Sequence, residues 1–435
     1  MADNFETLFE KRFPKFGVNK SREIFRLIKE ISKISQLSDV QVLNSITENN
    51  YEAVKNNLLQ KRYPKTFHFA KKDSFYLPKY AVNPDFAVDI KKPEGFGFKT
   101  VFYEPSAKNT TVFENVKKLF PAAAFTEIES LKSYTAGKDF TLKDYNSRGE
   151  RLFLVKEKYD FFKKCPCTKN VVNCGYSIMN LGMGCIYDCT YCFLQAYQNI
   201  GAIVLPCNIE DYLKEEKLVW QTSEIFNYKR IGSGEFTDSL IFDHITNFSK
   251  DIIAFFKKRH DIFFEFKTKS VNIKNLLNCG GQKNIVAAWS VNSQKMCEEN
   301  ELKTPPLAAR LSAARECAKA GFSTAFHFDP IIFYDGWKEG YKETIDMIFD
   351  TVAPESIKWI SLGTLRMPAA QKQVMENRFP KTNILNGEFL LGQDYKLRYA
   401  KSLRVEIYKY IAELIKAKKS KAVVYLCMED ENCSR

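Results

Sequence analysis

Six short β-rich runs alternating with helix-patterned segments constrain this chain more than any other feature. YSIMNL, KRIGSGEF, FFEFKTK, IVAAWSVN, STAFHFDPII and WISLGTL are spaced by segments such as SKDIIAFFKKR, PLAARLSAARECAKA and KEGYKETIDMIFD. Strands each followed by a helix pack as a parallel sheet with right-handed crossovers, either doubly wound or curled into a partial barrel. Chemistry then belongs at the C-terminal ends of the strands. A further apolar run, AVVYLCMED, follows the sixth unit and can add as a strand beside it.

The rest of the chain divides around that pattern. Residues 1–97 read as a helical extension: Ser21 leads an amphipathic run through Ile24, Leu27, Ile28 and Ile31, and Ser38 with Gln41 forms a capping box. A Pro-containing stretch then breaks the helical pattern and puts a boundary near Phe98. Residues 98–164, with strand, helix and strand in KTVFYEP, VFENVKKLF and AAFTEIES, suggest a small α/β unit. Residues 165–435 carry the repeated βα pattern, ending in a helix and a strand.

No run approaches ~18 consecutive apolar residues, and the N-terminus is charged where a secretory signal needs an apolar core. The expectation is a cytoplasmic protein without a membrane partner. In a reducing compartment the 12 cysteines point to metal ligands, catalytic thiols or buried thiols, not to a disulfide framework. A net charge of +13 raises nucleic acid as a partner, with a solvated basic surface as the plainer alternative.

The first β-run leads directly into NLGMGCIYDCTYCFLQ, where Cys185, Cys189 and Cys192 are spaced Cys-x₃-Cys-x₂-Cys. Three soft thiolates within eight residues can ligate three corners of one [4Fe–4S] cubane and leave the fourth iron open. Gly182 and Gly184 allow the tight path such a loop needs. Structural zinc is the alternative, but it calls for four closed ligands, and the chain has only four histidines.

These residues resemble the radical S-adenosylmethionine superfamily, and their surroundings resemble the spore photoproduct lyase family. The likeness runs through FYEP (Phe102 to Pro105), CTYCFLQ (Cys189 to Gln195), DHIT (Asp243 to Thr246), FKTK, WSVN, GWKEGY and RFPKT from Arg378. It implies a partial (β/α)₆ barrel of TIM type, a cluster whose open iron chelates S-adenosylmethionine, and reductive cleavage to a 5′-deoxyadenosyl radical. It implies an electron donor such as flavodoxin or ferredoxin, and DNA as the substrate class. The motif of Gly232, Ser233, Gly234 and Glu235 matches the glycine–glutamate turn that receives the methionyl amino group. Lys269, Ser290 and Asn292 match positions near the cofactor, and Tyr191 is expected against it.

The chain also departs from the family. The cysteine that returns hydrogen to the product radical in the lyase falls on Glu235, and the tyrosine after the third cluster cysteine is Phe193. Phenylalanine has no O–H bond to give. Cys427, at the end of the tail strand, is the candidate replacement, with a buried structural cysteine as the alternative.

Other positions carry two readings each. His327 and Asp329, in an apolar strand, are a satisfied core pair or a functional one. Cys165, Cys167 and Cys174 are structural thiols or a second metal or redox site. GQDYKLRYAKSLRVEIYKY, with Lys396, Arg398, Arg404, Tyr395, Tyr399 and Tyr408, reads as an amphipathic helix with a basic face or as a base-stacking surface. Three functions remain: a radical enzyme acting on DNA, the same radical generator acting on a small molecule or peptide, and a non-catalytic metal-containing nucleic-acid-binding protein.

Overall fold

All six β-rich runs form strands of one sheet in the computed structural model, which describes residues 5–77, 82–88, 97–158, 161–167, 171–214, 223 and 225–429. They are β1 (Tyr176–Met179), β2 (Lys229–Ser233), β3 (Ile262–Thr268), β4 (Ile285–Ser290), β5 (Ser323–Ile331) and β6 (Ile357–Thr364). The tail run adds β7 (Val423–Leu426). Neighbours pair in chain order and in parallel throughout, with β7 on β6. The strand Phe162–Lys164 caps the β1 edge in antiparallel sense.

Contacts across the interior show that the sheet is curled. Glu265 on β3 accepts hydrogen bonds from Tyr176 of β1 at 2.5 Å and from Trp359 of β6 at 2.8 Å. Arg230 on β2 donates to the hydroxyl of Tyr425 on β7 at 3.1 Å. Strands five places apart touch only if the sheet closes most of the way to a barrel. The result is a partial barrel, with helices such as Phe248–Phe256, Leu307–Lys319, Trp337–Thr351 and Lys401–Ala417 outside.

Period-2 alternation decides which residues face the hollow. Ile231, Phe264, Phe266, Ala287, Trp289, Phe326 and Ile360 pack in the large core shared with the outer helices. Val286, Ala288, Ala325, Trp359 and Tyr425 form a separate inner plug. Above the plug His327 Nε2 meets Glu265 at 2.7 Å and Nδ1 meets the Ser361 hydroxyl at 2.6 Å. Burial depresses the basicity of His327, so Nε2 donates, Nδ1 accepts, and the ring is a satisfied core histidine. Asp329, one inward position further, pairs with Arg366 at 2.9 Å.

A second sheet runs Ala124–Glu127, Thr100–Tyr103, Arg151–Val155 and Ile203–Pro206, all parallel. Its last strand comes from beyond the cysteine loop. The N-terminal helices Phe5–Arg12, Val18–Ser35, Asp39–Asn44 and Tyr51–Arg62 have their own apolar core. The Ser38–Gln41 capping box is present, whereas the helix expected to start at Ser21 starts at Val18, and Ser21 bonds back to the Phe16 carbonyl.

The basic–aromatic segment corrects the sequence reading. Lys396–Tyr399 is the middle strand of a three-stranded antiparallel sheet, and the helix begins only at Lys401. Arg398 and Arg404 are buried and ion-paired, to Asp394 and Glu429. Neither belongs to a solvated basic face. No helix among the described residues is long and apolar enough to cross a membrane.

Candidate active site

The cysteine loop leaves β1 through two glycines that no other residue can replace without strain. Gly182 has φ +137° and Gly184 φ +96°. A Cβ on Gly182 would lie 2.6 Å from the Val204 carbonyl, and one on Gly184 2.9 Å from Ile203. Both glycines press the loop against the last strand of the small sheet, where Met183 and Val204 exchange hydrogen bonds. Gly184 also donates to the Phe236 carbonyl at 2.7 Å.

Charged side chains then fix the loop from beneath. Arg148 donates to the carbonyls of Cys185 at 2.7 Å and Tyr187 at 2.6 Å, and to Asp188 at 2.8 Å. Asp188, inserted between two of the cysteines, is buried and also receives Arg378 at 2.7 Å and Lys303 at 2.6 Å. Burial alone would raise its carboxyl, but the three cations hold it well below the usual range. Gln371 donates to the Tyr191 carbonyl at 2.9 Å, and Asp188–Cys189 pairs with Glu301–Leu302 as a short antiparallel ladder.

The three thiols face one neighbourhood. Burial pushes each of them up; Asp238 and the neighbouring cysteines add to the rise at Cys185, Glu301 and Cys192 add to it at Cys189, and Lys269 opposes it at Cys189 and Cys192. Tyr187 N–H donates to Cys185 Sγ at 3.4 Å. As the side chains stand, no group of three or more His, Cys, Asp or Glu among the described residues is set to hold a metal ion. The donor set fits an iron–sulfur cluster on other grounds: three soft ligands, a backbone N–H aimed at sulfur, and a cation favouring thiolate.

The remaining candidates gather at the strand ends. Gly232 admits the Tyr176 hydroxyl, which would lie 1.5 Å from any Cβ there, and Gly234 turns with φ +111°. Ser233 Oγ and Thr237 Oγ1 are buried without a hydrogen-bond partner, and Glu235 pairs with Lys163 at 2.5 Å. Lys269 Nζ stands 5.6 Å from the centre of the Tyr191 ring. Tyr191 donates its hydroxyl to Glu301, which pairs with the buried Arg310 at 2.5 Å. Ser290 is buried at the end of β4. Asn292 gives its amide to the protein, donating to the Pro330 carbonyl at 3.0 Å and accepting from Tyr341 at 2.6 Å.

Cys427 is the next inward position after Tyr425, at the end of β7. Its N–H donates to Leu362 at 2.8 Å, and Arg366 reaches its sulfur at 3.9 Å. Phe193 is exposed and meets the Tyr197 ring edge-on.

Sequence reasoning missed Arg148, Asp188, Glu301, Arg310 and Lys303, and also Asp238, which accepts from Thr268 at 2.5 Å and from Lys269 N–H at 2.7 Å. The one available signal was Asp188 itself, a charge inside an otherwise apolar ligand loop.

A sequence model of the family described as Spore photoproduct lyase matches residues 96–431. The chain belongs to that family. Its enzymes are radical S-adenosylmethionine enzymes, and the partial barrel is their architecture. The chain is 28% identical over 206 residues to the spore photoproduct lyase of Bacillus subtilis (strain 168), covering 46% of this chain and 59% of that one. It is 26% identical over 303 residues to the lyase of Geobacillus sp. (strain Y412MC61), covering 66% and 84%. A solved spore photoproduct lyase variant with bound AdoMet and dinucleoside spore photoproduct shares the fold with TM-score 0.62 and 21% identity, over 76% of this chain and 98% of its own. The N-terminal helices lie outside the family match.

Proposed function

We propose that Cys185, Cys189 and Cys192 hold a [4Fe–4S] cluster and that the chain cleaves S-adenosylmethionine reductively to act on a damaged nucleic acid. The observation that carries this reading is the thiol triplet, Cys189 buried and Cys185 and Cys192 half-buried, on a loop locked by Asp188 and its three cations, with Lys269 beside it. When bound, the cluster and S-adenosylmethionine supply one-electron cleavage of a carbon–sulfur bond, and so a 5′-deoxyadenosyl radical. The chain's own residues bind, orient and exclude water. In the turn from Gly232 to Glu235 the Glu235 carboxylate, now paired to Lys163, is the group that would exchange that cation for an ammonium group of the ligand. Ser233 and Thr237 offer hydroxyls not committed elsewhere, and Lys269 and Ser290 offer a cation and a hydroxyl to an anionic ligand.

A DNA lesion as substrate is supported by the family, by a relative solved with a dinucleoside spore photoproduct, and by the charge of +13. A flavodoxin or ferredoxin is the expected class of electron donor. A second reading, the same radical generator with a different substrate, is favoured by Glu235. This residue stands where the lyase keeps its hydrogen-donating cysteine and is paired to Lys163.

Cys427 is the proposed donor, since it lies on the inward face of β7 beside Asp329 and Arg366. A substrate carbon radical takes the hydrogen of its S–H bond, which forms a C–H bond and leaves the unpaired electron on sulfur. Tyr191 is proposed to act against the cofactor as a positioning ring.

Anaerobic reconstitution with iron and sulfide, then reduction with S-adenosylmethionine, tests the central reading. Formation of 5′-deoxyadenosine is expected, and its loss on changing any one of the three cysteines to Ala. Bound zinc without turnover would instead establish a non-catalytic metal protein. Deuterium from D₂O should enter the product with the wild type and fail to enter with Cys427→Ala, while 5′-deoxyadenosine persists; equal labelling of both would remove Cys427 from the reaction.

A further inference from the structure

The edge strand Phe162–Lys164 runs into a Cys-Pro-Cys turn that the proposed chemistry does not use. Cys165 N–H donates to the Tyr176 carbonyl at 3.0 Å, which fixes the start of the turn to the sheet. Cys167 N–H donates to the Cys165 carbonyl at 2.7 Å, folding the two side chains to the same side. Their sulfurs are 3.7 Å apart. A disulfide needs about 2.05 Å, so closure asks for roughly 1.7 Å of approach, within the reach of side-chain rotation. Both residues are partly exposed, unlike the buried Cys207, Cys297 and Cys317.

The surroundings differentiate the two thiols. Cys167 is stabilised as thiolate first by the Cys165 hydrogen bond and then by Arg366 and Lys396, which bring it to about 7. Cys165 is pushed up by that same hydrogen bond and by burial. An attacking thiolate beside a protonated partner is the division of labour found in thiol–disulfide exchange. Arg366 is shared, since its other near sulfur is Cys427.

We infer that Cys165 and Cys167 are a redox-active dithiol that exchanges with an external disulfide. The Cys167 thiolate attacks the external disulfide, forming a mixed disulfide and expelling one thiolate. Cys165 then loses its proton and attacks Cys167 sulfur, expelling the second. The pair is oxidised by two electrons, the external disulfide is reduced to two thiols, and a dithiol reductant reverses both steps. Closing the bond takes the negative charge of Cys167 away from Arg366, so the state of the pair is felt beside Cys427. The inference does not depend on the cluster or on any substrate.

The test uses the full-length protein, held anaerobically in buffers of graded glutathione to glutathione disulfide ratio, quenched in acid, alkylated and mapped by mass spectrometry. The expected result is joint loss of alkylation at Cys165 and Cys167, with their peptide about 2 Da lighter and no glutathione attached. The bridge should persist in Cys174→Ser and vanish in Cys167→Ser, whose far-ultraviolet circular dichroism should match the wild type. Free thiols at every ratio, separate glutathione adducts on each sulfur, or a bridge to Cys174 or Cys427 would each overturn the assignment.

Discussion

Lys269 directly follows β3, with its ammonium over Tyr191 and beside the thiols of Cys189 and Cys192. Burial would lower its basicity, but Glu301 and the cysteines raise it, so the side chain stays charged where an anionic ligand group would arrive. Lys269→Ala and Ser290→Ala are each expected to weaken S-adenosylmethionine binding about tenfold or more, as loss of a charged or buried hydrogen bond does, with iron content unchanged. Equilibrium dialysis with labelled cofactor measures this, and unchanged affinity in both variants would refute the assignment. Tyr191→Phe strips one donor from Glu301 and leaves Arg310 in place. It should cost about 1–3 kcal/mol in urea unfolding, because a buried acceptor loses a partner.

The helix Ala369–Arg378 shows what an element adds that no single residue does. Gln371 and Arg378, seven apart and so on one face, reach the cysteine loop. Lys372 and Glu376, four apart on another face, reach Glu30 and Arg26 of the N-terminal helices. Arg378 spends its guanidinium on Asn146 at 2.7 Å, Gln195 at 2.8 Å and Asp188 at 2.7 Å, a three-way fork that a lysine cannot reproduce. Arg378→Lys should therefore behave like Arg378→Ala. Both should lose about 3–5 kcal/mol as a buried ion pair breaks, and hydrogen exchange should rise across residues 185–192. A lysine variant with wild-type protection would show that charge alone suffices. Elements were legible where periodicity was local: six apolar strands and the tail strand all stand where their patterns put them. Lys396–Tyr399 was not, because KLRY alternates over four residues inside a stretch that also fits a helical period, and only its partners on either side decide. The triplet was readable from its spacing. Asp188 and Glu301 were not, since their cations come from distant segments that only the topology brings near.

At the scale of the whole molecule, the N-terminal helices are bolted to the barrel by a largely buried carboxylate. Glu30 meets Arg62 at 2.7 Å, Lys372 at 2.8 Å and Arg26 at 3.1 Å. Burial would raise its carboxyl, but Lys372, Arg62 and Arg26 hold it well below the ordinary 4.5. A folded-state pKa below the unfolded one contributes stability that is full above about pH 4.5 and drains away as the pH falls. Glu30→Gln should thus cost about 3–5 kcal/mol near neutrality and show a shallower loss of urea midpoint on acidification than the wild type. Parallel slopes would mean the carboxylate titrates alike in both states. The same ion cluster has a consequence for the order in which the protein is made. Glu30 and Lys372 are 342 residues apart, and Arg62 reaches the Leu385 carbonyl across 323. During translation Lys372 is made 342 residues after Glu30, so the N-terminal helices must wait through that stretch before they can seat against the helix that carries it. A nascent chain stalled before residue 369 would hold strands β1 to β6 while its N-terminal helices still lacked the helix that seats them, leaving both faces for a chaperone to cover.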